Sequence, residues 1–205
     1  TAGSSTAGTY ILEGTLVSDA IYGGLGDDRV IYNDSNGVNV DTVYNFTKGG
    51  ATDTIIVDIS DLQTASALVS SVTAVLNDGE AAAVAAGTMT IIEASGATTT
   101  SSAANDLIVV VGATFTADTL GTAFEASGNR VLTINSTASD VGDTILTLYS
   151  DGTDAYLAAA VATTEDIANT AFESDDLTIV NLVKISGITS IAAGDFAAGD
   201  FEFVA

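Results

Sequence analysis

The stretch Gly23-Gly24-Leu25-Gly26-Asp27-Asp28-Arg29-Val30-Ile31 decides how the rest of the chain is read. It follows the pattern G-G-x-G-x-D-x-U-x, a glycine-rich turn that runs into a short strand and stacks into a parallel β-roll. Glycines at three of the first four positions tolerate φ > 0, so the turn is tight and its carbonyl oxygens gather on one side. Asp28 adds a carboxylate at the end of that turn. Calcium, a hard cation, takes oxygen ligands of these two kinds, so Gly23, Gly24, Gly26 and Asp28 form a candidate calcium turn. Val30 then points into the roll. An ordinary acidic turn is the competing reading of the same residues.

Nine residues upstream, Gly14-Thr15-Leu16-Val17-Ser18-Asp19-Ala20-Ile21 keeps the first glycine, the aspartate and the inward aliphatic residue, which adds Gly14 and Asp19 to the candidate ligands. Thr15 and Val17 stand where the pattern has glycine. Downstream the nine-residue period fails, but Asp41-Thr42-Val43 and Asp53-Thr54-Ile55 repeat the D-x-U core at longer spacings, as if the turns had taken insertions. Asp41 and Asp53 complete the candidate metal set.

These stretches resemble the RTX (repeats-in-toxin) family of calcium-binding secreted proteins. The last repeats of that family are commonly followed by D-T-I-x-D-F-x-x-G-x-D-x-I-x-L-S-x-L. Here the chain reads Asp41-Thr42-Val43-Tyr44-Asn45-Phe46-Thr47-Lys48-Gly49-Gly50-Ala51-Thr52-Asp53-Thr54-Ile55-Ile56-Val57-Asp58-Ile59-Ser60-Asp61-Leu62. Asn45 replaces the usual acid, and Ala51-Thr52 lengthens the turn. Leu182-Val183-Lys184-Ile185-Ser186-Gly187-Ile188, followed by Ala193-Gly194-Asp195-Phe196, is similar to the endings of RTX proteins exported by the type I pathway. Glu202-Phe203-Val204-Ala205 looks like the uncleaved C-terminal signal of that pathway. The resemblance covers residues 10–62 and 143–205. It implies calcium as cofactor, with ions lying between successive turns, and a bacterial extracellular or cell-surface location.

Composition narrows the function independently. Four basic residues against 27 acidic ones give a net charge of -23 at pH 7, which argues against nucleic acid and against an anionic lipid surface. Such a charge opposes compaction, and divalent cations relieve the repulsion. The chain has no Cys, His, Pro or Trp, so disulfides, thiolate or imidazole metal sites and catalysis built on His or Cys are all removed. Carboxylate pairs such as Asp27/Asp28, Asp175/Asp176 and Asp195/Asp200 occur, but no tryptophan accompanies them to stack a sugar. No enzymatic activity is expected. No apolar run approaches the ~18 residues of a membrane span, so no membrane insertion is expected. The residues Thr1-Ala2-Gly3-Ser4-Ser5 show neither the basic nor the apolar region of a secretory signal.

In order, residues 1–9 read as a flexible arm, 10–60 as a short, degenerate calcium-binding β-roll, and 61–205 as a β-rich, sandwich-like region with one or two helices. The fold class is mainly β. Ser60 and Gln63 predict the start of a helix over about 61–76, with Leu62, Ala65, Leu68, Val69, Val72, Val75 and Leu76 on one face. A second short helix is read over 80–86, and Asn33-Asp34-Ser35-Asn36-Gly37 as an inserted loop. Strands are predicted over 88–93, 107–112, 130–135, 144–150, 155–161 and 177–185, with a hairpin turn at Asp151-Gly152-Thr153-Asp154. Residues 94–104 read as an exposed, mobile low-complexity loop. Residues 115–127 are ambiguous, with a helical reading carried by Asp118, Leu120, Phe124 and Gly128. Asp176 is read as an exposed strand cap.

The function expected is that of a secreted, calcium-binding structural protein that assembles with copies of itself as a surface layer, filament or matrix component. A composition rich in Ala, Thr, Val, Gly, Ser and Asp, without Cys or His, looks like that of surface-layer proteins. The alternative is a noncatalytic adhesin, with cell-surface glycans as partner, or the C-terminal export module of a larger RTX exoprotein.

Overall fold

Successive strands at the N-terminal end fall alternately into two sheets. The computed structural model describes residues 8–15, 17–32, 39–49, 52–58, 87–102, 106–135, 144–164, 171–172 and 176–204. β1 (Ile11–Glu13), β3 (Arg29–Tyr32) and β5 (Thr54–Asp58) pair in parallel in one sheet, with Ile11 beside Arg29 and Arg29 beside Thr54. β2 (Ala20–Tyr22) and β4 (Asp41–Tyr44) pair in parallel in the other, with Ala20 beside Thr42. A chain that pairs each strand with the one two before it winds as a coil. Alternation within each strand turns Leu12, Ile21, Val30, Tyr32, Val43, Ile55 and Val57 into the space between the sheets.

Both sheets are then continued by residues from the other end of the sequence. β13 (Leu177–Ile185) pairs in parallel with β4, Val183 beside Asp41, and β14 (Phe201–Val204) pairs in parallel with β5, Phe201 beside Ile55. With β6 (Gly87–Thr88), the smaller sheet has the order β1-β3-β5-β14-β6. The larger runs β2-β4-β13-β12-β11-β9-β7 through β12 (Ala155–Ala162), β11 (Thr144–Ser150), β9 (Leu107–Val110) and β7 (Ile91–Ala94). Strand pairing therefore crosses the boundary expected at residue 60, and one core holds Leu12 and Ile55 together with Phe203.

The larger sheet is covered on both faces. Leu146, Leu148, Leu157 and Ala159 face the coil, whereas Ile145, Tyr149, Ala158 and Ala160 face a second core. That second core also takes Leu120 and Phe124 of α1 (Ala117–Phe124), and Leu132 of β10 (Val131–Asn135). β10 pairs in parallel with β8 (Thr98–Ser102). Continuous apolar runs such as Leu107–Val110 are the consequence of this double burial.

The fold is mainly β, as its composition of short β-branched runs predicts. The hairpin at residues 151–154 and the strands from 107 onward lie within two residues of their expected places. The ambiguous segment is helical, but its cap is Thr116, whose hydroxyl accepts from the Thr119 N–H while Thr119 reaches back to the Thr116 N–H. Asp118 sits inside the first turn, where its charge suits the helix dipole. Two expectations are corrected. The supposed loop at 94–104 contains β8, because its threonines are β-branched and find a partner strand in β10. Asp176 is buried rather than exposed, and accepts a hydrogen bond from the Thr164 hydroxyl. The arm over 1–7, the loop of Asn33 to Gly37, the helix at 61–76 and the run at 80–86 lie outside the described residues.

Candidate metal centre

Each aspartate of the coil stands at or just before the start of a strand, and Asp28 and Asp53 each use their two oxygens on separate backbone N–H groups. Oδ2 of Asp28 accepts from the Gly24 N–H of its own turn at 2.6 Å, while Oδ1 accepts from the Tyr10 N–H of the neighbouring coil at 3.3 Å. The Asp28 N–H in turn donates to Oδ1 of Asp53 at 2.9 Å, and Oδ2 of Asp53 takes the Thr47 N–H at 2.6 Å. On the other sheet, the Asp19 N–H donates to Oδ1 of Asp41 at 2.7 Å. Asp19 itself uses Oδ2 on the Thr15 N–H and hydroxyl, both at 2.7 Å, and these bonds hold its carboxyl below the ordinary range. The aspartates thus form two ladders, each linking a turn to the coil beside it. Asp28, Asp41 and Asp53 are buried, at 1%, 4% and 3% exposure.

The candidate glycines sit against these carboxylates. A Cβ on Gly14 would lie 2.3 Å from Asp41 Oδ2, and one on Gly23 would lie 3.3 Å from Asp28 Oδ2. Gly26 has φ of +131°, and a Cβ there would come within 2.6 Å of the Gly8 carbonyl oxygen. Gly8 also donates its N–H to the Leu25 carbonyl, which fixes residue 8 of the expected arm on the turn. Gly24 supplies the N–H that Asp28 accepts. The structure therefore brings Gly14 to Asp41, Gly23 and Gly24 to Asp28, and Asp28 to Asp53. Asp28 and Asp53, like Asp19 and Asp41, meet through a backbone N–H rather than through a shared point.

The donor chemistry fits calcium in kind, because only oxygen atoms are offered. Among the described residues no group of three acidic side chains is placed to hold a metal ion. An ion here would take backbone carbonyls with one or two carboxylates, and at Asp28 and Asp53 it would share each oxygen with an N–H already bound to it. Asn45 adopts φ of 63°, a left-handed conformation that asparagine tolerates.

Residues near the C-terminal end join the site without having been read as part of it. The sequence Ala192-Ala193-Gly194-Asp195-Phe196-Ala197-Ala198-Gly199-Asp200-Phe201 is one pentapeptide twice, and the two copies share an aspartate bond although Gly194 takes φ of +78° and Gly199 lies in a 3-10 turn. Asp195 Oδ2 accepts from the Ala192 N–H and Asp200 Oδ2 from the Ala197 N–H, each at 2.8 Å. Both then reach the turn before β5: Lys48 donates to Asp195, and the Gly49 N–H to Asp200 at 3.1 Å. The Ala192 N–H and the Lys48 ammonium hold the Asp195 carboxyl below its usual value. Arg29 pairs with Glu202 at 2.7 Å, so two of the chain's four basic residues tie the coil to residues 195–202. The signal for these residues in the sequence is a repeat of period five, not nine.

No family model, no curated protein and no solved structure matches the chain.

Proposed function

We propose that the chain is a secreted calcium-binding structural protein of a bacterial exterior, that its N-terminal coil is a short RTX-type β-roll, and that it assembles with copies of itself. The observation that carries this reading is the aspartate ladder. Asp28, Asp41 and Asp53 are acidic side chains buried with backbone N–H groups as the partners described, in a chain of net charge -23. Calcium between successive turns supplies the positive charge that those dipoles supply only in part. The residues that would hold it are Asp28 with the carbonyls of Gly23, Gly24 and Gly26, and Asp19 with Gly14, while Asp41 and Asp53 follow at the longer spacings.

Extracellular calcium modules bind with Kd of about 0.1–1 mM. At free calcium ten to a hundred times Kd, each site adds about 1.4–2.7 kcal/mol, which for a chain of this size raises Tm by about 3–10 °C. Removal of calcium with a chelator is therefore expected to lower Tm by at least that much. Asp28→Asn keeps the shape and deletes one charge, so calorimetric titration should show weaker binding or one site fewer. An unchanged Tm on chelation, with unchanged affinity in the variant, would leave Asp28 as a plain turn residue.

A second reading is a noncatalytic adhesin or export module. It is favoured by the way β13 and β14 continue both sheets of the coil, which joins the coil to the rest of the chain. Electron microscopy with calcium separates the two. Ordered sheets or fibres support assembly, and a persistent monomer that binds glycans supports the module.

A further inference from the structure

We propose that the repeat at residues 192–201 is a clamp that tightens calcium binding by the coil, acting through the turn at residues 45–53. This rests on the calcium reading above and adds to it residues that position the site without touching the ion. A Cβ on Gly23 would stand 3.3 Å from Asp28 Oδ2, 3.4 Å from the Tyr44 carbonyl oxygen and 3.7 Å from the Asn45 carbonyl oxygen. Oxygens of two neighbouring turns gather there, and the turn that opens at Tyr44 and Asn45 supplies two of them.

That turn has much to hold still. Residues 45–53 join β4 to β5, whereas residues 23–28 join β2 to β3, so the second turn is the longer. Each added residue brings conformational entropy that is lost when an ion orders the turn. Asn45 is also the one non-glycine with positive φ among the described residues, a conformation that persists only where the surroundings enforce it. Inside the turn, the Thr47 N–H reaches Asp53 Oδ2 at 2.6 Å and the Thr52 hydroxyl reaches the Thr47 carbonyl at 2.8 Å.

The repeat grips the same turn from outside. Lys48 donates to Asp195, the Gly49 N–H to Asp200, and the Thr54 hydroxyl to the Gly199 carbonyl. The phenylalanines take part as well: Phe46 stacks on Phe196 at 6.3 Å, Phe196 packs on Phe201 at 5.8 Å, and the Lys48 ammonium lies 5.9 Å from the Phe196 ring centre. A wall ordered before the ion arrives binds it more tightly, because less freedom remains to be lost. By reciprocity, the ion must also strengthen the grip of the repeat on the turn.

The test is calorimetric calcium titration of the intact chain beside K48M, D195N and the control D106N. Lys48 and Asp195 keep side-chain exposures of 34% and 27%, so both variants should fold. Asp106 accepts the Thr90 N–H, a bond of the same kind outside the coil and the repeat. K48M and D195N should each bind calcium at least about fivefold more weakly than the parent, and D106N should match the parent. K48M separates positioning from charge, since removal of a positive charge would by itself tighten the hold on a cation. Hydrogen exchange of the parent gives a second measure that needs no variant. At about 5 mM calcium, above the Kd range of extracellular modules, the Gly49 and Ala197 amides, both bonded to Asp200, should exchange more slowly, and the Thr90 amide should not. Calcium affinity in K48M equal to or above that of the parent, or exchange at Gly49 and Ala197 that ignores bound calcium, overturns the clamp and leaves the calcium reading standing. A parent that takes up no calcium overturns both.

Discussion

Phe203→Ala is expected to destabilise the fold by about 3–5 kcal/mol, the cost of emptying a fully buried aromatic site. Phe203 is 1% exposed and stands in β14, beside Val57 on one side and Gly87 on the other. Its ring belongs to the core that also contains Leu12 and Val30. A loss of that size consumes a large share of a typical stability of 5–15 kcal/mol. Glu202→Gln, one residue away with its side chain half-exposed in a pair with Arg29, should cost less than about 1 kcal/mol. Denaturant unfolding of both variants is the measurement. Near-equal midpoints would mean that residues 201–204 do not lie between β5 and β6, and the coil would lose its closing strand.

Gly14→Ala is the second large effect expected, at about 2–4 kcal/mol, from overpacking together with a broken charged hydrogen bond. The new methyl group would stand 2.3 Å from Asp41 Oδ2. An exposed carboxylate would swing away at little cost. Asp41 is buried at 4% exposure and held through Oδ1 by the Asp19 N–H at 2.7 Å, so it can yield only by giving up that bond. The same displacement disturbs two of the proposed ligands together. The double variant G14A/D41A removes the oxygen that the methyl strikes, and its loss should be smaller than the sum of the single losses. Strict additivity, read from thermal or denaturant unfolding, would show that the two residues are not in contact.

The individual elements were legible, and their assembly was not. Val30 and Ile21 could be assigned inward from a nine-residue spacing, because a period of that length places one aliphatic residue on each short strand. The run Thr98-Thr99-Thr100 was passed over because repeated small residues look like linker, although β-branching suits them to a strand once β10 lies alongside. Thr116 was missed as a cap because the acidic Asp118 is the louder signal, while hydroxyl capping is decided by the geometry of one N–H. For the site, the nine-residue spacing sets Asp19 beside Asp28, whereas the structure links Asp19 to Asp41 and Asp28 to Asp53, each through a backbone N–H. Nothing in a linear pattern says that Asp195 and Asp200 will meet the turn at 47–49. That contact depends on a pairing between strands some 145 residues apart.

That separation also governs timing. A coil built from neighbouring turns can form as each turn is made, since its contacts are local. Here the space beside β5 is filled by β14, and Arg29 meets a partner 173 residues further along. At about 5–20 residues per second, a ribosome takes about 7–30 s to make the stretch between Thr54 and Gly199. Throughout that interval β5 has one unpaired edge and the aromatic core lacks Phe201 and Phe203. The nascent chain must therefore be kept from satisfying that edge with another strand until its own arrives, and a net charge of -23 opposes such pairing between copies.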